Sequence, residues 1–145
     1  MLPDSIELII VTPERQLLRE KVVEVTLPGA DGQLGVLPGH APLITELGIG
    51  ELTYRGQGGS EGTLAIISGF SEVLGGRVTV LAETAERPEE IDLSRAEEAK
   101  KRAEERLAAA ASDPEIDWAR AAIALQRSLI RIQVARKQSR VRVGQ

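Results

Sequence analysis

The sequence changes its residue grammar near position 88, and no single regular element accommodates both halves. All but one of the 14 glycines precede that point. Before it, short Val/Ile/Leu runs alternate with Gly and Pro: Ile6 to Val11, Val22 to Leu27, Leu34 to Leu37, Leu52 to Arg55, Leu64 to Ser68 and Val78 to Glu83. Val23, Val25 and Leu27 alternate with Glu24 and Thr26, and Val78, Val80 and Ala82 alternate with Thr79 and Leu81. Period-2 patterning of this kind predicts half-buried strands. Gly58-Gly59 and Gly75-Gly76 are hairpin candidates. Strands recurring every ten residues or so between turn signals predict an antiparallel sandwich or barrel over residues 1–88.

Beyond Ile91, Ala, Glu, Arg and Leu replace the strand formers. Asp92 is a plausible N-cap for a helix reaching about Ala111. Leu93, Ala96, Ala99, Ala103, Leu107 and Ala110 recur at three- and four-residue steps on one face. Ser112-Asp113-Pro114-Glu115 reads as stop, cap and restart, with Pro114 at the first position of a second helix. That helix carries Trp118, Ala121, Ala122, Leu125, Leu129, Ile132 and Ala135 on one stripe. So short a connection makes the helices antiparallel. The predicted hairpin is an arm over 89–138, hinged at Arg87-Pro88-Glu89-Glu90, with a frayed basic tail at 139–145. Its alanine seam buries little area, so the hairpin alone is expected to be marginally stable.

Composition removes several kinds of chemistry. Without Cys there is no thiolate metal site, disulfide or Cys nucleophile. A single histidine, His40, makes zinc improbable and supplies no nucleophile–base pair. It reads as a structural or contact residue, and no catalytic residue or metal ligand is expected. Aromatics at 2% leave little for base stacking, and a net charge of −4 disfavours nucleic acid. The start, Met1-Leu2-Pro3-Asp4, lacks signal-peptide features, and no apolar run is long enough to span a membrane. The glycine-rich stretch Pro28 to Gly35 lacks P-loop spacing, which favours tight turns or an exposed contact loop.

The arm holds the more informative constellation. Arg95, Arg102 and Arg106 share one face of the first helix, and Arg127 and Arg131 lie four apart on the second. Guanidinium forks on antiparallel neighbours suit a phosphate-bearing anion. The alternatives are an acidic protein surface, or a solvated face with local pairs such as Glu98 with Arg102 and Glu97 with Lys101.

Three segments carry a resemblance: Gly35-Val36-Leu37-Pro38-Gly39-His40-Ala41-Pro42-Leu43, Ser68-Gly69-Phe70, and Val78 through Ala85. With the strand-then-helix order, over about residues 4–138, the chain resembles the ε subunits of bacterial F-type ATP synthases. The resemblance implies an α+β chain: a sandwich of about ten short strands, then a two-helix hairpin. It implies a non-catalytic central-stalk subunit that couples rotation of the c ring to ATP synthesis. The implied partners are the γ subunit, the c-subunit ring and, for an extended arm, the catalytic β and α subunits. It also implies a peripheral place on the cytoplasmic face of the inner membrane, held there only through the complex. The loops bearing Asp31 and Gly39-His40 match positions that face the c ring in relatives. The arm in relatives either folds on the sandwich or extends beside γ and inhibits ATP hydrolysis. Some relatives bind ATP on the folded arm through an Ile/Leu-Asp-x-x-Arg-Ala motif. Here that motif is Ile91-Asp92-Leu93-Ser94-Arg95-Ala96, and the further ligand positions match Glu86, Arg102, Arg127 and Arg131. No cofactor is required on this reading, and ATP is a regulatory ligand. The alternatives are a stand-alone ATP-sensing module and, less supported by the residues, a small hydrolase.

Overall fold

The computed structural model describes residues 3–143, with side chains through Lys137. The chain divides into two compact units between Glu86 and Arg87. Side chains of the basic tail expected at 139–145 lie outside the described residues.

The first unit contains six strands: β1 (Ile6–Val11), β2 (Gln16–Gly29), β3 (Gly32–Val36), β4 (Leu43–Gly56), β5 (Glu61–Leu74) and β6 (Arg77–Glu86). They lie in the order β1-β6-β5-β4-β2-β3, and an added β1–β2 pairing closes the sheet on itself. All neighbours are antiparallel except β1 and β6, which are parallel. Each of the six apolar runs falls in one strand, but the strands are longer than most of the runs and fewer than the ten or so that the resemblance implies. Three of them span 14 residues each because they run through their bends instead of breaking there.

The core explains those bends. In β5, Leu64 and Ile66 point inward, and so does Val73, which has the opposite parity. Residues of opposite parity point to opposite faces of a strand, so the chain must skip a step between them. β5 does so at Ser68 (φ 59°) and Gly69 (φ 137°). β4 switches in the same way between Leu47 and Leu52, and β6 between Ala82 and Ala85. The residues left out of the ladder are Gly48, Ser68 and Glu83, which form one row across three strands. All three strands switch together, so the register on either side of the row is preserved. β2 makes its own switch at an irregularity between Val22 and Glu24. There Val22 and Val25 are buried while Val23 is only half-buried, correcting the expected Val23-Val25-Leu27 stripe. The Val78-Val80-Ala82 stripe is inward as expected.

Turn chemistry agrees with the glycine positions. Gly75 and Gly76 both have positive φ and close the β5–β6 hairpin, and Gly59 does so between β4 and β5. Ser71 is buried on β5, and its hydroxyl has no hydrogen-bond partner among the described residues.

The second unit begins with a 3-10 turn at Pro88–Glu90, so the expected hinge has regular structure. Helices α1 (Leu93–Ala110) and α2 (Trp118–Val143) follow and pack on one another. Pro114 does not open α2. Asp113 accepts a hydrogen bond from Glu115 N and turns the chain at 113–116, and Asp117 Oδ1 caps α2 by accepting from Arg120 N. Two aspartates four residues apart thus separate turn from cap, and Pro114 sits inside the turn. The seam buries Ala96 and Ala103 of α1 with Ala121, Ser128, Ile132 and Ala135 of α2. Ser128 satisfies its hydroxyl on the Leu125 carbonyl. Trp118 and Leu129, expected on the stripe, are exposed.

A Cβ at Gly69 would collide with the Leu81 carbonyl oxygen and would have to adopt positive φ. We expect Gly69→Ala to destabilise the β unit by at least about 2 kcal/mol. Ser71→Ala, two residues away, removes an unsatisfied hydroxyl and should be neutral or stabilising by about 1 kcal/mol. Urea unfolding followed by circular dichroism distinguishes the two.

Candidate functional site

The helical unit places the expected ligand residues on two facing elements. Asp92 is the N-cap of α1, with its Oδ1 accepting from Arg95 N at 3.1 Å. One carboxylate oxygen is therefore committed to the helix start, where negative charge is favoured. Ile91 ends the preceding 3-10 turn, and Ala96 is buried in the seam. Arg95, Arg102 and Arg106 project from one flank of α1, and all are exposed.

The antiparallel level of the helices is fixed by an ion pair from Arg136 Nη2 to Glu97 Oε1 at 3.6 Å. With equal rise along both helices, Arg102 stands about level with Arg131, and Arg106 about level with Arg127. These two arginine rungs share the flank that carries Arg95. The local pairs expected to neutralise that face do not form. Glu97 pairs with Arg136, Lys100 pairs with Glu104 at 3.5 Å, and among the described residues Arg95, Arg102, Arg106 and Arg127 make no ion pair. Glu86, the remaining expected position, closes β6 opposite Ala65 in the β unit.

The β unit displays two exposed loops. Asp31 is the second residue of the two-residue turn Ala30-Asp31, closed by the Gly29–Gly32 pair. Gly39 has φ 89° in the turn where His40 N donates to Leu37 O at 3.0 Å. His40 Nδ1 lies 2.6 Å from the Ala41 carbonyl oxygen. A carbonyl only accepts, so Nδ1 carries the proton and Nε2 is left for an outside contact. The structure does not bring the two loops together through β3, whose five residues separate them.

The sheet shows a surface that motif reading did not identify. Ile44, Phe70 and Leu81 are 72%, 56% and 55% exposed. Phe70 pairs directly with Leu81, and Ile44 is the diagonal neighbour of Phe70 through the Glu46–Phe70 pair. They form an apolar stripe across β4, β5 and β6, extended along β5 by exposed Leu74. The signal was present in the alternation Phe70-Glu72-Leu74, which lies opposite inward Ser71 and Val73. Among the described residues no His/Cys/Asp/Glu group is placed to hold a metal, and no helix is long and apolar enough to cross a membrane.

Replacing Asp92 separates its cap from its charge. Asp92→Ala should cost α1 about 1 kcal/mol and speed amide exchange at Ser94 to Ala96, while Asp92→Asn keeps the cap. Equal exchange in both variants would contradict the capping role.

Comparison with known proteins agrees with the two-unit division. Residues 5–88 match the ATP synthase delta/epsilon chain β-sandwich domain, and residues 89–136 match the long α-helix domain of the same chains. An ATP synthase epsilon chain of Koribacter versatilis is 56% identical over 104 residues, covering 72% of each chain. One from Desulforamulus reducens is 50% identical over 126 residues, covering 87% of this chain and 93% of the relative. Among solved structures, a chain in the cryo-EM structure of Euglena gracilis mitochondrial ATP synthase (OSCP/F1/c-ring) superposes with a TM-score of 0.79 at 26% identity. That match covers 93% of this chain and 83% of the other. A chain of the Tetrahymena thermophila mitochondrial central stalk and c ring shares the fold, with a TM-score of 0.52 at 14% identity. With its sandwich, its helical pair and their order all matched, the chain belongs to the delta/epsilon family of ATP synthase chains, as an epsilon chain.

Proposed function

We propose that this chain is a non-catalytic rotor subunit of a proton-translocating ATP synthase, seated by its β unit and regulated through its helical arm. The β unit would dock on the γ subunit and present its loops to the c ring, peripheral to the membrane. The observation that carries this reading is the Ile44-Phe70-Leu81 stripe. Soluble sheets rarely leave three large apolar side chains adjacent and exposed unless another surface covers them. Asp31 and His40 supply polar contacts for the ring, on loops held by a rigid scaffold.

The arm reading rests on the two arginine rungs and the complete Ile-Asp-x-x-Arg-Ala segment. Five guanidinium groups on one flank, four of them without an ion pair among the described residues, favour a polyphosphate over a neutral ligand. ATP is the regulatory ligand the motif implies. Binding to the closed hairpin would stabilise it by RT ln(1 + [L]/Kd), opposing the extended form that contacts the catalytic β and α subunits and restrains hydrolysis.

Two measurements test the parts separately. Each large apolar side chain buried at an interface contributes about 1.5–3 kcal/mol. Phe70→Glu with Leu81→Glu should therefore lower affinity for γ at least about 100-fold, with circular dichroism unchanged. Full retention of γ by this folded double variant would remove the docking surface. Calorimetry of the chain with ATP should show binding at the arginine flank that Arg127→Ala weakens at least tenfold. No heat at millimolar ATP would end the nucleotide reading and leave the rotor reading standing.

A further inference from the structure

The hairpin has a second flank, opposite the arginine rungs, and it is not flat. A groove of about 530 Å³ runs there between α1 and α2, a size suited to a small-molecule ligand. Its walls carry Lys100 and Lys101 from α1 and Arg136 and Lys137 from α2, against the carboxylates of Glu97 and Glu104. Leu129 and Ile132 are also in its lining. At the antiparallel level set by Arg136 and Glu97, the α1 cations stand about one helical turn from the α2 cations along the same groove.

The acids do not cancel the cations. Each carboxylate has one cation already, Glu104 from Lys100 at 3.5 Å and Glu97 from Arg136 at 3.6 Å. Both pairs are largely exposed, so they are weak and exchange readily for a better partner. Lys101 makes no ion pair among the described residues. Ammonium and guanidinium groups from both walls can converge on an anion with several oxygens, and a single carboxylate would leave most of them unused.

We propose that this groove is a second anion site on the arm, taking a short phosphate chain independently of the arginine flank. The ligand chemistry is a di- or triphosphate, whether inorganic or carried by a nucleotide. Oxygens would lie between Lys101 and the Arg136 side, and the Leu129–Ile132 side chains would accommodate any ring attached to the chain. Because the groove draws on both helices, occupancy would hold them together, as a ligand on the opposite flank would.

The test uses the full chain and isotope-labelled amides. Magnesium-free pyrophosphate should shift amides at 97–104 and 129–137 saturably, with sodium chloride of equal ionic strength as the control. Lys101→Glu breaks no ion pair among the described residues and should weaken this site at least tenfold, while Lys101→Arg should retain it. Arg127→Ala should leave it intact, which separates it from the nucleotide reading of the other flank. ATP shifting the same amides as pyrophosphate would identify a nucleotide source, pyrophosphate alone an inorganic one, and either supports the site. Shifts that sodium chloride reproduces, shifts insensitive to Lys101→Glu, or shifts abolished by Arg127→Ala would each overturn it.

Discussion

The parity switch across β4, β5 and β6 is the constraint on which the β unit depends. One row, Gly48-Ser68-Glu83, is dropped from the ladder in three neighbouring strands at once. Beyond it, residues of the opposite parity point inward, so a single core can be lined by Leu64 and Ile66 on one side and Val73 on the other. A switch in one strand alone would break the register with both neighbours and send an apolar set outward. The cost is local: positive φ at Ser68, of order 1–3 kcal/mol, and a glycine at 69 where no Cβ fits. The return is the whole inward row beyond the switch.

The same switch creates the exposed apolar stripe on which the proposed docking rests. Once Ser71 and Val73 turn inward, Phe70, Glu72 and Leu74 must turn outward, and Leu81 follows by its pairing with Phe70. The apolar stripe is therefore a direct consequence of how the core is filled. This is also why it was hard to read in advance. Phe70 in a run of strand formers looks like core, and only the break at Ser68-Gly69 reverses its side.

Legibility followed the range of the interaction that decides each feature. The Asp92 cap, the Gly75-Gly76 hairpin and the Val78-Val80-Ala82 stripe depend on neighbours in sequence, and they were readable. The lengths of the strands were not, because whether a Gly or Pro ends a strand or merely bends it is decided by pairing partners far along the chain. Pro114 misled for a related reason: a proline suits a first helical turn, but the competing cap at Asp117 is equally good and lies three residues later. On the arm, spacing alone correctly grouped the arginines on one flank of each helix. It could not say that Glu97 would reach across to Arg136 and leave Lys101 and Arg102 without their expected pairs. Surface ion pairs differ by less than about 1 kcal/mol, so tertiary packing selects among them.

On the proposed reading, the thin seam would make the arm sensitive to a ligand. Its buried side chains are mostly alanine, and each methyl removed from water contributes about 0.8 kcal/mol. A ligand present at 100 times its Kd contributes about 2.7 kcal/mol, comparable to three such methyls. A leucine-packed hairpin would bury several times more and hardly register the same ligand. Across that seam Arg136 reaches Glu97 on the opposite helix. On the proposed reading, an anion shared by cations of both helices would link ligand binding to closure of the hairpin through the same few residues.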